Sequence, residues 1–371
     1  MSMTDPRVEK LADLLVNYSV AVRAGDRVLV EGTSLAEPLL KAVYVKVLQA
    51  GGHPLMNAAP AGIDELLFRH ASDEQLRYIH QPTKLIMDTY DVRISIGGDE
   101  NTRSLTSVDP ARMVLREQAH TELMKTFLRR SASGELRRTY ALFPTNAYAQ
   151  DADMSLTEYE DFAYGACLPD MTDPVGYWRR FSARQDKIIN WLKGKEQVHV
   201  TGPETDLRLS IAGRAFINCD GRVNMPDGEV FTGPVEDSVE GHAYFSYPAI
   251  EGGREVVGVR LCFEHGRVVK ASAEKNEEFL LKMLDTDEGS RRIGEFAIGT
   301  NEGITRATRQ ILFDEKINGS FHMALGAGFP ETGSKNESAV HWDMVSDLRC
   351  GGEIRVDGEL LYKNGQFVID V

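Results

Sequence analysis

The chain has 371 residues, and its 42 Lys+Arg against 56 Asp+Glu leave a formal charge of −14. An apolar content of 42% excludes bulk disorder. The acidic balance argues against nucleic acid or an anionic membrane as the main partner, because both select a basic footprint.

At roughly 150 residues per domain the length implies two or three domains. Cys167, Cys219, Cys262 and Cys350 are scattered, with no C-x-x-C pair. That is the usage of a reducing compartment, not of a disulfide framework or a zinc–thiolate site. The first residues, Met1-Ser-Met-Thr-Asp-Pro6, lack a basic region followed by an apolar run. No stretch approaches the roughly 18 apolar residues of a membrane span. These features imply a cytoplasmic protein.

Asp5-Pro6 predicts a capped helix start, and Val8, Leu11, Leu14, Leu15 and Tyr18 follow at helical spacing. Gly25-Asp26 breaks it, and 27–31 reads as a strand. A helix over 39–50 stops at Gly51-Gly52, and 53–57 reads as a weak strand. Helical stretches near 63–80 and the run 84–88 continue the alternation, 92–96 adds a strand, and Asp109-Pro110 opens a long helix to Arg130. Strand alternating with helix predicts an α/β domain with a parallel sheet. No phosphate-binding motif accompanies it: Gly97-Gly98 is followed by Asp-Glu, and Gly326-Ala-Gly328 lacks the third glycine of a dinucleotide fingerprint. Ser155-Leu-Thr-Glu158 is a capping box, and Asp173-Pro174 opens a helix to about Lys193.

From Val198 the period changes to two, with hairpin signals at Asp220-Gly221, Asp357-Gly358 and Asn364-Gly365. Strands are predicted over 256–263 and 267–271, and helices near 274–285 and 305–315. The expected organisation is an α/β domain over 1–193 and a mainly β, metal-binding domain over 194–371.

This second part holds His199, His242, His265, His322 and His341. His199 and His265 read as ordinary strand and turn residues, and His242 is open. In Ala-Val-His-Trp-Asp-Met-Val, strand alternation puts His341 and Asp343 on one face and Val340, Trp342 and Met344 on the other. The spacing fits two cation ligands, and equally a His–Asp pair on a polar sheet face. His322 lies in a small, apolar run. Glu295, after Gly294, and Glu229, after Pro226-Asp-Gly, each enter apolar stretches, where a carboxylate is costly unless paired or metal-bound. Tyr244, Phe245 and Tyr247 could line a cleft or fill a core.

Several ordered segments together resemble the M29 family of metallo-aminopeptidases, the thermophilic aminopeptidase family, over nearly the whole chain. They are 21–26, 145–150, 154–162, Met225-Pro-Asp-Gly-Glu-Val-Phe231, Gly294-Glu295, Phe313-Asp-Glu315, His322-Met-Ala-Leu-Gly326 and His341-Trp-Asp343. The resemblance implies that Glu229, Glu295, Glu315, His322, His341 and Asp343 bind metal in a two-metal site with a bridging carboxylate, and that the protein is a homodimer acting on peptides. One position departs: where the family commonly has tyrosine before proline, this chain has Phe329-Pro330.

Four carboxylates and two imidazoles without thiolate suit zinc, cobalt or manganese, and their formal −4 balances two such divalent ions. The expected activity is metal-dependent removal of N-terminal residues from peptides. Glu315 or Glu229 could carry the proton to the leaving amine. Two alternatives remain: a mononuclear non-haem iron oxygenase using His322, His341 and Asp343, and a catalytically impaired peptide-binding relative, suggested by Phe329.

Overall fold

The structure is a computed structural model describing residues 5–371. The leader reading of residues 1–4 lies outside it. The chain forms two compact units, residues 1–176 with 221–226, and residues 177–220 with 227–371.

The first unit contains a parallel sheet with strands in the order His53–Ala59, Arg27–Thr33, Val92–Gly97, Arg137–Leu142 and Asn224–Met225. The expected α/β pattern is therefore present. Asp5 caps the helix Pro6–Leu14 by accepting from the Arg7 N–H at 2.8 Å. Helix Glu37–Gln49 buries Leu39, Leu40, Val43 and Val47. Val28, Val30, Ile94 and Ile96 supply the buried strand side chains. The capping box at Ser155 and Glu158 starts the helix Leu156–Cys167. The run 84–88 is helical, within Gln81–Thr89. Among the described residues no helix is long and apolar enough to cross a membrane.

Two sequence expectations are displaced. The expected domain change at 193/194 follows the helix Pro174–Leu192, yet Ile188 and Leu192 of that helix belong to the second unit's core, which moves the change to 176/177. Asp220-Gly221 does not turn a hairpin. The strand Ile217–Cys219 pairs with Glu229–Thr232, while Asn224–Met225, between them in the chain, joins the first unit's sheet.

The second unit has an eight-stranded sheet and a five-stranded sheet. The eight-stranded sheet contains the predicted hairpins: Asp357-Gly358 joins Glu353–Val356 to Glu359–Lys363, and Asn364-Gly365 leads to Gln366–Phe367. Both dipeptides have positive φ at both residues, as a tight hairpin turn requires. The five-stranded sheet runs His341–Asp347, Ser320–Gly326, Ile293–Gly299, Glu229–Thr232, Ile217–Cys219, with antiparallel pairing throughout. One face of it, carrying Val230, Phe296, Ile298, Phe321, Met323, Trp342 and Met344, shares a single core with Val198, Leu207, Phe245 and Leu261 of the larger sheet. Phe245 is thus a core residue, its ring 6.1 Å from Phe321. Tyr247 donates its hydroxyl to Asp347, and Tyr244 lies 4.4 Å beneath the Arg260 guanidinium. Of the three aromatics, only Phe245 is a core residue.

Candidate metal centre

The five-stranded sheet turns its other face to the functional side chains. Directly opposed residues of antiparallel strands share a face. His322 opposes Ala297, Glu295 opposes Ala324, Ala324 opposes Asp343, Gly326 opposes His341, and Glu229 opposes Gly299. Glu229, Glu295, His322, His341 and Asp343 therefore project from one face, where Ala297, Ala324, Gly299 and Gly326 sit against them with nothing larger than a methyl group, and Cys219 and Val345 flank Glu229 and His322 from the outer strands.

Glu295 reaches that face through a local irregularity. Ile293 points into the core, so strict alternation would send Glu295 there too. The register shifts between them, with Gly294 as the extra residue, and the bulge resets the phase. Gly294 is required at the bulge: a Cβ there would lie 2.2 Å from the Ala327 carbonyl oxygen. Gly228, at φ +134°, plays a matching part before Glu229, where a Cβ would lie 2.6 Å from that of Asn301.

Glu315 arrives from a different element, at the C-terminal cap of the short helix Ile311–Asp314. Its neighbour Asp314 is turned away from the cluster and accepts from the Thr308 N–H at 2.7 Å and hydroxyl at 2.9 Å. Burial raises the Asp314 carboxyl to about 7 against those two bonds. The Asp-Glu pair thus divides into one residue holding the loop and one facing the site.

Ligand atoms come within 4.8 Å of one another in the triads Glu229–Glu295–His322, Glu295–His341–Asp343 and Glu315–His322–Asp343. All six residues expected from the sequence fall in these triads. Glu295 links the first two. Its Oε1 lies 3.3 Å from His322 Nε2 and its Oε2 lies 3.5 Å from His341 Nε2. Glu229 Oε2 is also 3.3 Å from His322 Nε2. The His341 ring is oriented from behind, its Nδ1 being 2.8 Å from the Ala327 carbonyl, which accepts the Nδ1 proton and leaves Nε2 for the cluster. His199 instead pairs with Asp206 at 2.7 Å, and His265 lies 3.2 Å from Glu240. His242, on the strand Glu240–Phe245 of the larger sheet, belongs to none of the triads.

Burial makes the cluster electrostatically demanding. It drives the Glu229 carboxyl well above the usual carboxylate range, with Lys316 and His322 opposing. It lifts Asp343 to about 6, with Glu315 adding to the rise. For His322 burial works downward, but the bond to Glu295 and the charges of Glu229, Glu295 and Asp343 outweigh it and raise the imidazole to about 10. These carboxylates are arranged around positive charge. Glu229 Oε2 is buried without a hydrogen-bond partner, which is the state of an oxygen set out as a ligand. The donor set and a buried carboxylate oxygen that makes no hydrogen bond both fit divalent metal.

Three neighbours complete the surroundings; Cys219 and Lys316 carry no sequence signal, and Phe329 is the position that departs from the family pattern. Cys219 opposes Glu229 in register and groups with Asp227 and Glu229. Burial, then Asp227 and Glu229, push its thiol well above the ordinary range, so it is protonated at neutral pH. Lys316 is fully buried and its ammonium contacts Glu315, with Glu229 Oε1 at 3.8 Å. Phe329 packs edge-on to His341 with ring centroids 5.1 Å apart, and lies 5.2 Å from Phe231.

The sequence model of the thermophilic metalloproteases, M29, matches residues 4–367. The chain belongs to the M29 metalloprotease family. M29 relatives include aminopeptidase 2 of Geobacillus stearothermophilus, 27% identical over 100% of both chains. Aminopeptidase T of Thermus thermophilus is 26% identical over 96% of this chain and 95% of that one. Among solved structures, wild-type AmpT from Thermus thermophilus superposes with a TM-score of 0.85 at 23% identity, covering 98% of this chain and 99% of its own. A 2,5-dihydroxypyridine dioxygenase from Pseudomonas putida KT2440 shares the fold at a TM-score of 0.60 and 14% identity, over 98% and 97% of the two chains. At those identities both structures speak for the fold alone. Membership of M29 makes this a peptidase that uses divalent metal.

Proposed function

We propose that Glu229, Glu295, Glu315, His322, His341 and Asp343 hold two divalent ions of the zinc, cobalt or manganese class, and that this centre removes N-terminal residues from peptides. The chain is a metallo-aminopeptidase. The observation carrying the two-metal reading is Glu295, whose two oxygens face two different histidines as a bridging ligand would. A bound metal pair supplies a nucleophile at neutral pH and polarises the scissile carbonyl. The protein's own contribution is orientation and proton transfer. Ala327 fixes the His341 ring, and the bulge at Gly294 fixes Glu295. In this reading Glu315 or Glu229 takes a proton from the attacking water and returns it to the leaving amine. A cytoplasmic location, from cysteine usage, and a homodimer, from the family resemblance, complete this reading.

The oxygenase reading needs His322, His341 and Asp343 around one ion. Among the described residues no triad contains both histidines, so the geometry favours two centres sharing Glu295 and Asp343. Chelator treatment is expected to abolish hydrolysis of leucyl anilide, and added cobalt or zinc to restore it with two ions per chain by elemental analysis. Activity without metal, or full activity at one ion per chain, would refute the proposal.

Phe329 offers a separate test. Its ring lies against His341 but has no hydroxyl to give a developing oxyanion, and a missing donor of that kind lowers kcat by roughly 100-fold in well-studied cases. Phe329→Tyr is expected to raise kcat by about 10- to 100-fold with metal content unchanged. An unaltered kcat would show that another group already fills the role.

A further inference from the structure

An aminopeptidase must distinguish a free N-terminal amine from an acylated one. The six candidate ligands do not explain how. The strands Ala249–Glu251 and Arg254–Val256 form a two-stranded hairpin closed by Gly252 and Gly253, with Glu251 opposite Arg254. The hairpin packs along His341–Asp347, the edge strand that carries His341 and Asp343. The Tyr247 N–H donates to the Val345 carbonyl at 3.2 Å. The Asp347 N–H donates to the Ser246 hydroxyl at 2.9 Å, so as one segment advances from 246 to 247 its partner retreats from 347 to 345; the two run antiparallel, and the chain leading to Glu251 heads toward the His341 end of the strand. The electrostatic contact between Glu251 and His341 agrees with this alignment.

Glu251 is half-buried, yet its carboxylate makes no hydrogen bond or ion pair among the described residues. Arg254, the cation across the hairpin, is turned elsewhere, its guanidinium 5.0 Å over the Phe279 ring. A half-buried carboxylate without a cation is unfavourable by itself and gains when a ligand brings one. Glu251 adjoins His341, the most exposed of the six candidate ligands, and so flanks the accessible side of the centre.

We propose that Glu251 receives the protonated N-terminal amine of the substrate and thereby sets the specificity for free amino termini. This rests on the aminopeptidase reading. The α-amino group of a peptide titrates near 8, so the ammonium is abundant at neutral pH. A carboxylate outside the metal shell lets the amine be recognised by charge, while the metal ligands stay committed to metal.

The test compares wild type with Glu251→Gln and Glu251→Asp, each loaded with cobalt. For leucyl anilide, Glu251→Gln is expected to raise KM about tenfold, leave kcat within about twofold and keep the wild-type metal content; Glu251→Asp should recover part of the loss. Binding of leucinamide and N-acetyl-leucinamide by calorimetry supplies a readout independent of turnover. Wild type should prefer the free amine, and Glu251→Gln should lose about tenfold of that preference. An unchanged KM and unchanged preference would overturn the assignment. So would loss of metal from Glu251→Gln, which would make Glu251 part of the metal shell. If wild type cleaves no aminoacyl anilide with any metal, the aminopeptidase reading fails, and the calorimetric comparison still decides whether Glu251 binds an amine.

Discussion

Glu295→Gln is expected to lower the metal content from two ions per chain to fewer than one and to reduce kcat/KM by about 1,000-fold, a loss of about 4 kcal/mol in transition-state stabilisation. The reason is position. Glu295 is the residue shared between the triad containing His322 and the triad containing His341, and each of its oxygens faces one of those rings. Glutamine keeps the shape but loses the charge and one acceptor, so both halves of the centre weaken together. Asp343→Asn provides the contrast. Asp343 also belongs to two triads, but its nearest histidine is His341, at 3.7 Å, and only Oδ1 makes that approach. Its replacement should leave one ion bound more firmly than Glu295→Gln does. Metal analysis after exhaustive dialysis, together with steady-state kinetics, checks both. Retention of two ions by Glu295→Gln would remove Glu295 from the bridging position.

Stability should move much less than activity. In the metal-free protein Glu295 is one of several buried carboxylates in close company but also pairs with His322, so neutralising it relieves repulsion and loses that pairing together. Metal-free Glu295→Gln is therefore expected to melt close to metal-free wild type. The stabilisation that added metal gives wild type should largely disappear, because binding to the folded state alone is what raises the midpoint.

His341 and Asp343 were legible because a regular strand converts a spacing of two into a shared face, and the burial of Trp342 and Met344 follows the same rule. Glu229, Glu295 and His322 stood out by their cost, as polar groups in apolar runs. Glu295 shows the limit of alternation. Alternation from Ile293 places it in the core, and only the bulge at Gly294, a tertiary feature made by the approach of Ala327, returns it to the site. The parallel sheet of the first unit was readable from its alternating strands and helices. Its last strand was not, because Asn224–Met225 is two residues long and pairs with a strand some eighty positions earlier. Glu251 and Lys316 were invisible for a related reason. Each acts through neighbours fixed by folding, the first along a remote edge strand and the second in the interior, and neither lies in a pattern that periodicity can detect.

Lys316→Met is expected to destabilise the metal-free protein by about 3–5 kcal/mol, and the metal-loaded protein by much less. The ammonium of Lys316 is completely buried, in contact with Glu315 and 3.8 Å from Glu229. Burial opposes its charge, but Glu315, Glu229 and Asp227 more than compensate and hold it protonated well above its ordinary range. Asp227, Glu229, Glu295, Glu315 and Asp343 carry a formal −5, and Lys316 brings the group to −4, the charge that two divalent ions cancel. Methionine fills similar space without charge, so the metal-free variant leaves only the His322 imidazolium to answer several buried carboxylates, or must take up protons. Bound metal supplies the missing positive charge directly, and the penalty shrinks. For a unit of this size a loss of about 3–5 kcal/mol lowers the unfolding midpoint by about 10 °C. Differential scanning calorimetry with and without cobalt measures the two losses side by side. Equal destabilisation in both states would mean that Lys316 matters as packing and not as charge. The double variant Lys316→Met, Glu315→Gln separates these causes again. If charge is the cause, removing the carboxylate that the lysine contacts should recover a large part of the lost metal-free stability, a coupling that two merely neighbouring core substitutions would not produce.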